Sequence, residues 1–371
     1  MKNIILLMVV ILLNIACQPK QDSENKRIVL AYITSWNQIM PETDYITHIN
    51  YAFGHVNEDF NGVVINRPPR PNSNYENDGR PTSEDRLRSL VELKKEKTAL
   101  KILLSIGGWG SGRFSEMTAD ETNRLAFSAD CQRVVQEFDL DGIDLDWEYP
   151  TSSMSGISSS PDDMENFTLL MRDIRNAIGK DKLLTFASAA NARYVDFKSV
   201  EPYIDFVNIM TYDINVNGSA HHAGLFRSEL TADGASCEES VDAHVAAGIP
   251  IHKLVLGMPF YGHGRDSLPR SISFRNLIVR NDVKGTGIIQ RGNIVHLKGH
   301  SDMWDDEAKA PYWVDADGKF VLSYENHRSI SAKCEWLNQK GMLGAMYWEY
   351  SGDDDYGTLQ KAVYHGIMNY E

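Results

Sequence analysis

The run DGIDLDWEYP, residues 141–150, constrains the fold of this chain more than any other segment. Asp144, Asp146 and Glu148 stand two residues apart, with Ile143, Leu145 and Trp147 between them. Strand side chains alternate between faces, so the three acids share one face and the apolar residues the other. If helices cover the apolar face, the acids point into the centre of a sheet or barrel. Three carboxylates a few ångströms apart in a low-dielectric site cannot all stay ionised, and at least one holds a proton at neutral pH. A protonated carboxyl beside an ionised one is what cleavage of a glycosidic bond requires. The plain alternative is an edge strand with a solvated acidic face, but Gly142 and Trp147 suit a buried strand better.

Around this run, short apolar stretches alternate with amphipathic ones. The spacing predicts strands at Ile28–Thr34, Ile46–Phe53, Leu100–Ile106, Gly142–Trp147, Leu183–Ala189, Phe206–Tyr212, Leu254–Phe260 and Leu343–Trp348. Helices are expected from Ser83 to Lys97, from Ala119 to Phe138 after a Thr118 cap, and from Pro161 to Ile178 before Gly179. Two more are expected at Ala235–Ala247 and Arg328–Lys340, closed by Gly248 and Gly341. The fold class is therefore α/β, a (β/α)8 barrel. An open doubly wound sheet is the alternative, but no G-x-G-x-x-G turn follows the first strand. The connection after Phe260 is too long to be structureless and contains β-like runs at Gly287–Gln290, Asn293–Leu297 and Lys319–Ser323. A small insertion domain at 262–323 is expected there, leaving 27–261 and 324–371 to the barrel. Asn66–Thr82 reads as a long surface loop near the barrel mouth.

The first residues read as an address rather than as fold. Lys2, an apolar run from Ile4 to Leu13 and a small residue before Cys17 make 1–16 a signal peptide and 17–26 a polar tether. Ala16–Cys17 resembles a bacterial lipoprotein box, in which the cysteine is lipidated, although Asn14 stands where Leu is usual. The expected location is thus outside the cytoplasm, on a membrane held only through that lipid, or else plain secretion. The formal net charge of −14 argues against nucleic acid and anionic membrane surfaces as partners. Cys131, Cys237 and Cys334 imply no disulfide framework, although one bridge is possible. No cysteine–histidine spacing resembles a zinc site, so no metal or cofactor is expected.

In such barrels the chemistry sits at the C-terminal ends of the strands. Glu148 is at one such end. Trp109 follows the turn SIGGW, Tyr212 and Asp213 close MTYD, Tyr261 lies in GMPFYG, and Trp348 lies in GAMYWEY. Tyr32 lies in the first expected strand and Phe53 ends the second. Aromatic faces stack on the apolar faces of sugar rings.

The pattern D-x-x-D-x-D-x-E, filled by Asp141, Asp144, Asp146 and Glu148, resembles the signature of glycoside hydrolase family 18, the chitinases. SIGGW, MTYD and the late tryptophan follow in the order expected of that family. The stretch after Tyr261 is similar to the α+β insertion domain of one chitinase subgroup, which walls the cleft. The resemblance implies a monomer that acts on chitin or another N-acetylglucosamine-containing glycan by a substrate-assisted, retaining mechanism. Glu148 would protonate the glycosidic oxygen, and the substrate's acetamido oxygen would be the nucleophile. Asp146 would hold the acetamido N–H, Asp144 would share a proton with Asp146, and Tyr212 would bond the acetamido carbonyl. Met210 and Asp213 would complete the pocket over a floor of Trp348, with Trp109, Tyr261, Tyr32 and Phe53 as further sugar contacts. Family members with the insertion often carry Arg soon after the YG of the seventh strand. Here the next residue is His263, and Arg265, two places on, is the candidate. Asp141 has the wrong parity for the inward row and reads as structural.

Two other functions compete. An endo-β-N-acetylglucosaminidase would trim glycoprotein glycans with the same acids, although such enzymes usually lack the insertion. A lectin on the same scaffold would usually have lost the final Glu, which this chain keeps as Glu148.

Overall fold

The computed structural model describes residues 27–65, 81–215, 220–231, 235–266, 268–278 and 286–370. The expected signal peptide, the tether with Cys17, and most of the Asn66–Thr82 loop lie outside them. Eight parallel strands form the barrel: β1 (Ile28–Thr34), β2 (His48–Val56), β3 (Lys101–Gly107), β4 (Gly142–Asp146), β5 (Leu183–Ala189), β6 (Phe206–Met210), β7 (Leu254–Pro259) and β8 (Gly344–Trp348). Each pairs with the next, and β1 pairs with both β2 and β8, which closes the sheet. The (β/α)8 expectation holds, and closure removes the exposed edges that an open sheet would leave.

Alternation sorts the apolar residues into two cores. Outward residues such as Val29, Ile102, Ile143, Leu145 and Ile209 join the layer under the helices. Inward residues such as Leu30, Tyr32, Phe206, Val255 and Met346 fill the barrel. Ile143 and Leu145 are fully buried, each contributing roughly 1.5–3 kcal/mol. Register then aligns polar groups across neighbouring strands: Ser105 of β3 faces Asp144 of β4, which faces Thr185 of β5.

The helices run Ser83–Glu92, Phe114–Ala119, Glu121–Glu137, Asp163–Ile178, Phe197–Val200, Cys237–Ala247, His327–Lys340 and Thr358–Met368. Capping boxes start three of them, at Thr82–Asp85, Ser236–Glu239 and Asn326–Ser329. Four starts differ from expectation; the helices expected from Ala235 and Arg328 begin at Cys237 and His327. Asp120, not Thr118, caps the helix at Glu121, because the Thr118 hydroxyl donates back to the Phe114 carbonyl inside a separate short helix. Pro161 precedes the helix that begins at Asp163 rather than opening it. The described part of the insertion carries short antiparallel strands and one 3-10 turn. Tyr261–Gly264 and Phe320–Ser323 pair side by side at its root. Cys131, Cys237 and Cys334 are buried and free.

Candidate active site

The C-terminal ends of the strands open into a cleft of about 800 Å³. Tyr32, Phe53, Trp109, Asp146, Glu148, Met210, Tyr212, Asp213, Tyr261 and Trp348 all line it. These residues are far apart in the chain, and the closed register of the barrel is what gathers them.

Asp144 lies deepest and is fully buried. Its Oδ2 accepts from Tyr32 Oη at 2.9 Å and Ser105 Oγ at 2.8 Å. Its Oδ1 accepts from Thr185 Oγ1 at 2.6 Å and Asn208 Nδ2 at 3.1 Å. Burial pushes this carboxyl upward, and the four donors pull it back toward the ionised form. Asp146, one step nearer the mouth, has no such cage, and its buried Oδ1 has no partner among the described residues. Burial, then Glu148 and Asp144, push Asp146 well above the ordinary carboxyl range. Both carboxyls of this buried pair are raised, and the one without the four donors, Asp146, is raised further.

Glu148 stands at the mouth, only partly buried. Burial, with a further push from the Asp213 charge and against a hydrogen bond with Tyr149, moves its carboxyl from 4.5 up to about 7. The row thus runs from an acid held in a polar cage to an acid at the cleft that is raised to about 7. Asp141 points away from it. Its carboxylate accepts from the Ile102 N–H at 2.9 Å and pairs with Lys94 at 3.0 Å and Lys101 at 3.2 Å, which fixes the entry to β4.

The double glycine of SIGGW has a steric cause. A Cβ on Gly107 would lie 2.0 Å from the Asp146 carbonyl oxygen, and its φ of 133° favours glycine. The Gly108 N–H donates to that same oxygen at 2.8 Å. The turn leaves Trp109 58% exposed at the cleft.

Aromatic residues flank the acids. Phe53 and Trp348 stack at 5.6 Å, and Trp36 lies 6.4 Å from each. Tyr149 and Tyr194 stack at 4.8 Å beside Trp109. On the opposite wall Asp213 Oδ1 accepts from Tyr261 Oη and His263 Nε2, each at 2.6 Å, with His222 Nδ1 at 3.4 Å. Burial alone would raise the Asp213 carboxyl, but these partners hold it well below the usual range. Burial lowers His222 to about 4, so it is neutral.

One sequence candidate does not reach the cleft. Arg265 donates to the Ala220 carbonyl at 2.9 Å and lies over the Phe320 ring, so it braces the insertion. His263, nearer the strand end, takes the position beside Asp213. The sequence reading missed Trp36, Tyr149, Tyr194, His222 and the donors Thr185 and Asn208. Inward parity on β5 and β6 was the available signal for those two donors. The others sit on loops whose path no periodicity records.

Comparison with known proteins identifies the relatives of this chain. The family described as "Glycosyl hydrolases family 18" matches residues 28–353. "Chitinase A1" of Niallia circulans is 31% identical over 430 residues, covering 96% of this chain and 61% of that protein. "Endochitinase" of Manduca sexta is 27% identical, covering 90% of this chain and 65% of that protein, so the chain spans less than two thirds of either relative. Among solved structures, a glycoside hydrolase family 18 N-acetylglucosaminidase from Paenibacillus barengoltzii superposes with a TM-score of 0.73 at 33% identity, covering 92% of this chain and 99% of that one. With its acidic row at the mouth of a closed barrel and this match along most of its length, the chain belongs to glycosyl hydrolase family 18.

Proposed function

We propose that the protein hydrolyses β-1,4 linkages between N-acetylglucosamine units of chitin or chito-oligosaccharides, with retention of configuration. The observation that carries this reading is the acidic row at the cleft: Asp144 caged by four donors, Asp146 raised well above the ordinary carboxyl range by burial and its neighbours, and Glu148 near 7. Glu148 donates its proton to the glycosidic oxygen as that bond breaks. The acetamido oxygen of the same sugar attacks the anomeric carbon and forms a cyclic oxazolinium ion. Asp146 holds the acetamido N–H and stabilises the growing positive charge, with Asp144 behind it to share its proton. Tyr212 Oη bonds the acetamido carbonyl, Met210 and Asp213 close the pocket, and Trp348 forms its floor. Glu148, now a carboxylate, takes a proton from the water that opens the ring. Tyr32, Phe53, Trp109 and Tyr261 supply further contacts to the sugar.

Chito-oligosaccharides and a high-mannose glycoprotein offered in parallel test the substrate. Short N-acetylglucosamine products from the first and an intact second support the proposal. Release of the glycoprotein glycan alone would replace it with the endo-β-N-acetylglucosaminidase reading.

We further propose that the segment after Tyr261, rooted beside the cleft by the strand Tyr261–Gly264, forms a subdomain on one side of it and that the protein acts as a monomer. Export and acylation at Cys17 complete the reading, supported by the apolar run ending in Ala16–Cys17. Cys17→Ser should release soluble protein or leave an unprocessed precursor. A mature N-terminus lacking Cys17 in the culture medium would remove the anchor.

A further inference from the structure

Asp213, His222 and His263 bring a carboxylate oxygen and two imidazole nitrogens together, all within 4.8 Å of one another. A tetrahedral ion with bonds of about 2.0–2.1 Å holds its ligand atoms roughly 3.3 Å apart. The present separations from Asp213 Oδ1, 2.6 Å to His263 and 3.4 Å to His222, bracket that spacing. Two histidines and a carboxylate, with the fourth position open, form a ligand set that zinc takes in hydrolases. Here they stand on an existing wall: Asp213 lines the cleft, His263 is on the strand Tyr261–Gly264, and the His222 N–H donates to Ser323 Oγ at 3.0 Å. The Nε2 of His222 has no partner among the described residues, so it is free to take the proton that leaves Nδ1 when that nitrogen ligates.

We propose that Asp213, His222 and His263 form a binding site for a divalent transition-metal ion such as Zn²⁺, open to the cleft, and that its occupancy blocks hydrolysis. The ion displaces the hydrogen bonds that His222 and His263 make to Asp213, and the proton of each ligating nitrogen passes to the other nitrogen of the same ring. Its open position faces the space where a sugar would lie. The blocking, though not the binding, rests on the reading that this cleft cleaves glycans. Zinc suits the set, and copper should bind more tightly still by the usual order of divalent metals.

The test uses the untagged full chain, stripped with a chelator and titrated with Co²⁺ as a visible probe. One equivalent should give the strong d–d absorption of a four-coordinate site, and Zn²⁺ should bleach it. His263→Gln should weaken Co²⁺ binding by at least about tenfold, the low end of what loss of even an outer partner costs. His263 is only half-buried, and an unchanged thermal melt keeps that variant informative. Zn²⁺ should also abolish chito-oligosaccharide cleavage by the wild type, reversibly with EDTA, and leave His263→Gln at its own metal-free rate. Absence of stoichiometric binding, or unchanged affinity in His263→Gln, overturns the site. Stoichiometric binding with undiminished cleavage overturns the blocking. Failure of the cleavage reading shows itself separately, as no turnover by the metal-free protein.

Discussion

The pH profile of turnover follows from Glu148. A carboxyl at its ordinary value of 4.5 would be protonated in about one molecule in 300 at pH 7, whereas at about 7 it is protonated in about half. Burial therefore raises the supply of competent acid at neutral pH by roughly 150-fold. That factor lies within the 10²–10⁴-fold that general acid catalysis typically supplies. The kcat/KM for a soluble chito-oligosaccharide, measured from about pH 4 to pH 9, should fall on the alkaline side with a midpoint near 7 and then about tenfold per pH unit. The same shift links to stability. The folded state binds this proton more tightly than the unfolded chain does. The contribution is therefore complete below about 4.5 and is lost as pH rises through about 7. The melting temperature of the wild type should fall relative to Glu148→Gln across that window. Full activity maintained to pH 9 would refute the assignment of Glu148 as the acid.

Three further outcomes follow from named contacts. Glu148→Gln should lose roughly 10²–10⁴-fold in kcat yet still bind chito-oligosaccharide, since an amide fills the space without a proton to give; turnover assays and binding calorimetry separate the two. Asp144→Ala should lower stability by about 3 kcal/mol or more in urea melts, because it strands the buried donors of Tyr32, Ser105, Thr185 and Asn208. Lys333→Met should cost about 3–5 kcal/mol, because it leaves the Glu325 carboxylate buried without its ion pair, and Glu325→Gln in the same background should recover part of that loss.

The sequence made the barrel legible because its two cores obey a period of two. The strands β1 and β5 begin and end where alternation places them, and the others differ by a few residues at their ends. The acidic row was legible for the same reason: parity alone puts Asp144, Asp146 and Glu148 on one face and Asp141 on the other. The cage around Asp144 was less so. Ser105, Thr185 and Asn208 meet only through the register between strands, which no single strand encodes. The helix Thr358–Met368 also went unread. The insertion side was the hardest. Arg265 was chosen by charge and nearness to a motif, but the backbone carries it to Ala220 and Phe320 while His263 meets Asp213. The exposed Trp36 and the Tyr149–Tyr194 stack lie outside any periodic segment, so only the folded path reveals them.

The central claim is that the substrate's own acetamido group performs the attack, with Asp146 and Tyr212 orienting it. Parallel hydrolysis of two oligosaccharides of equal length, one fully N-acetylated and one with free amines, tests it most directly. The acetylated chain should be cut, with the β-anomer appearing first in the proton NMR spectrum, and the amine chain should remain intact. Equal cleavage of both would contradict the account.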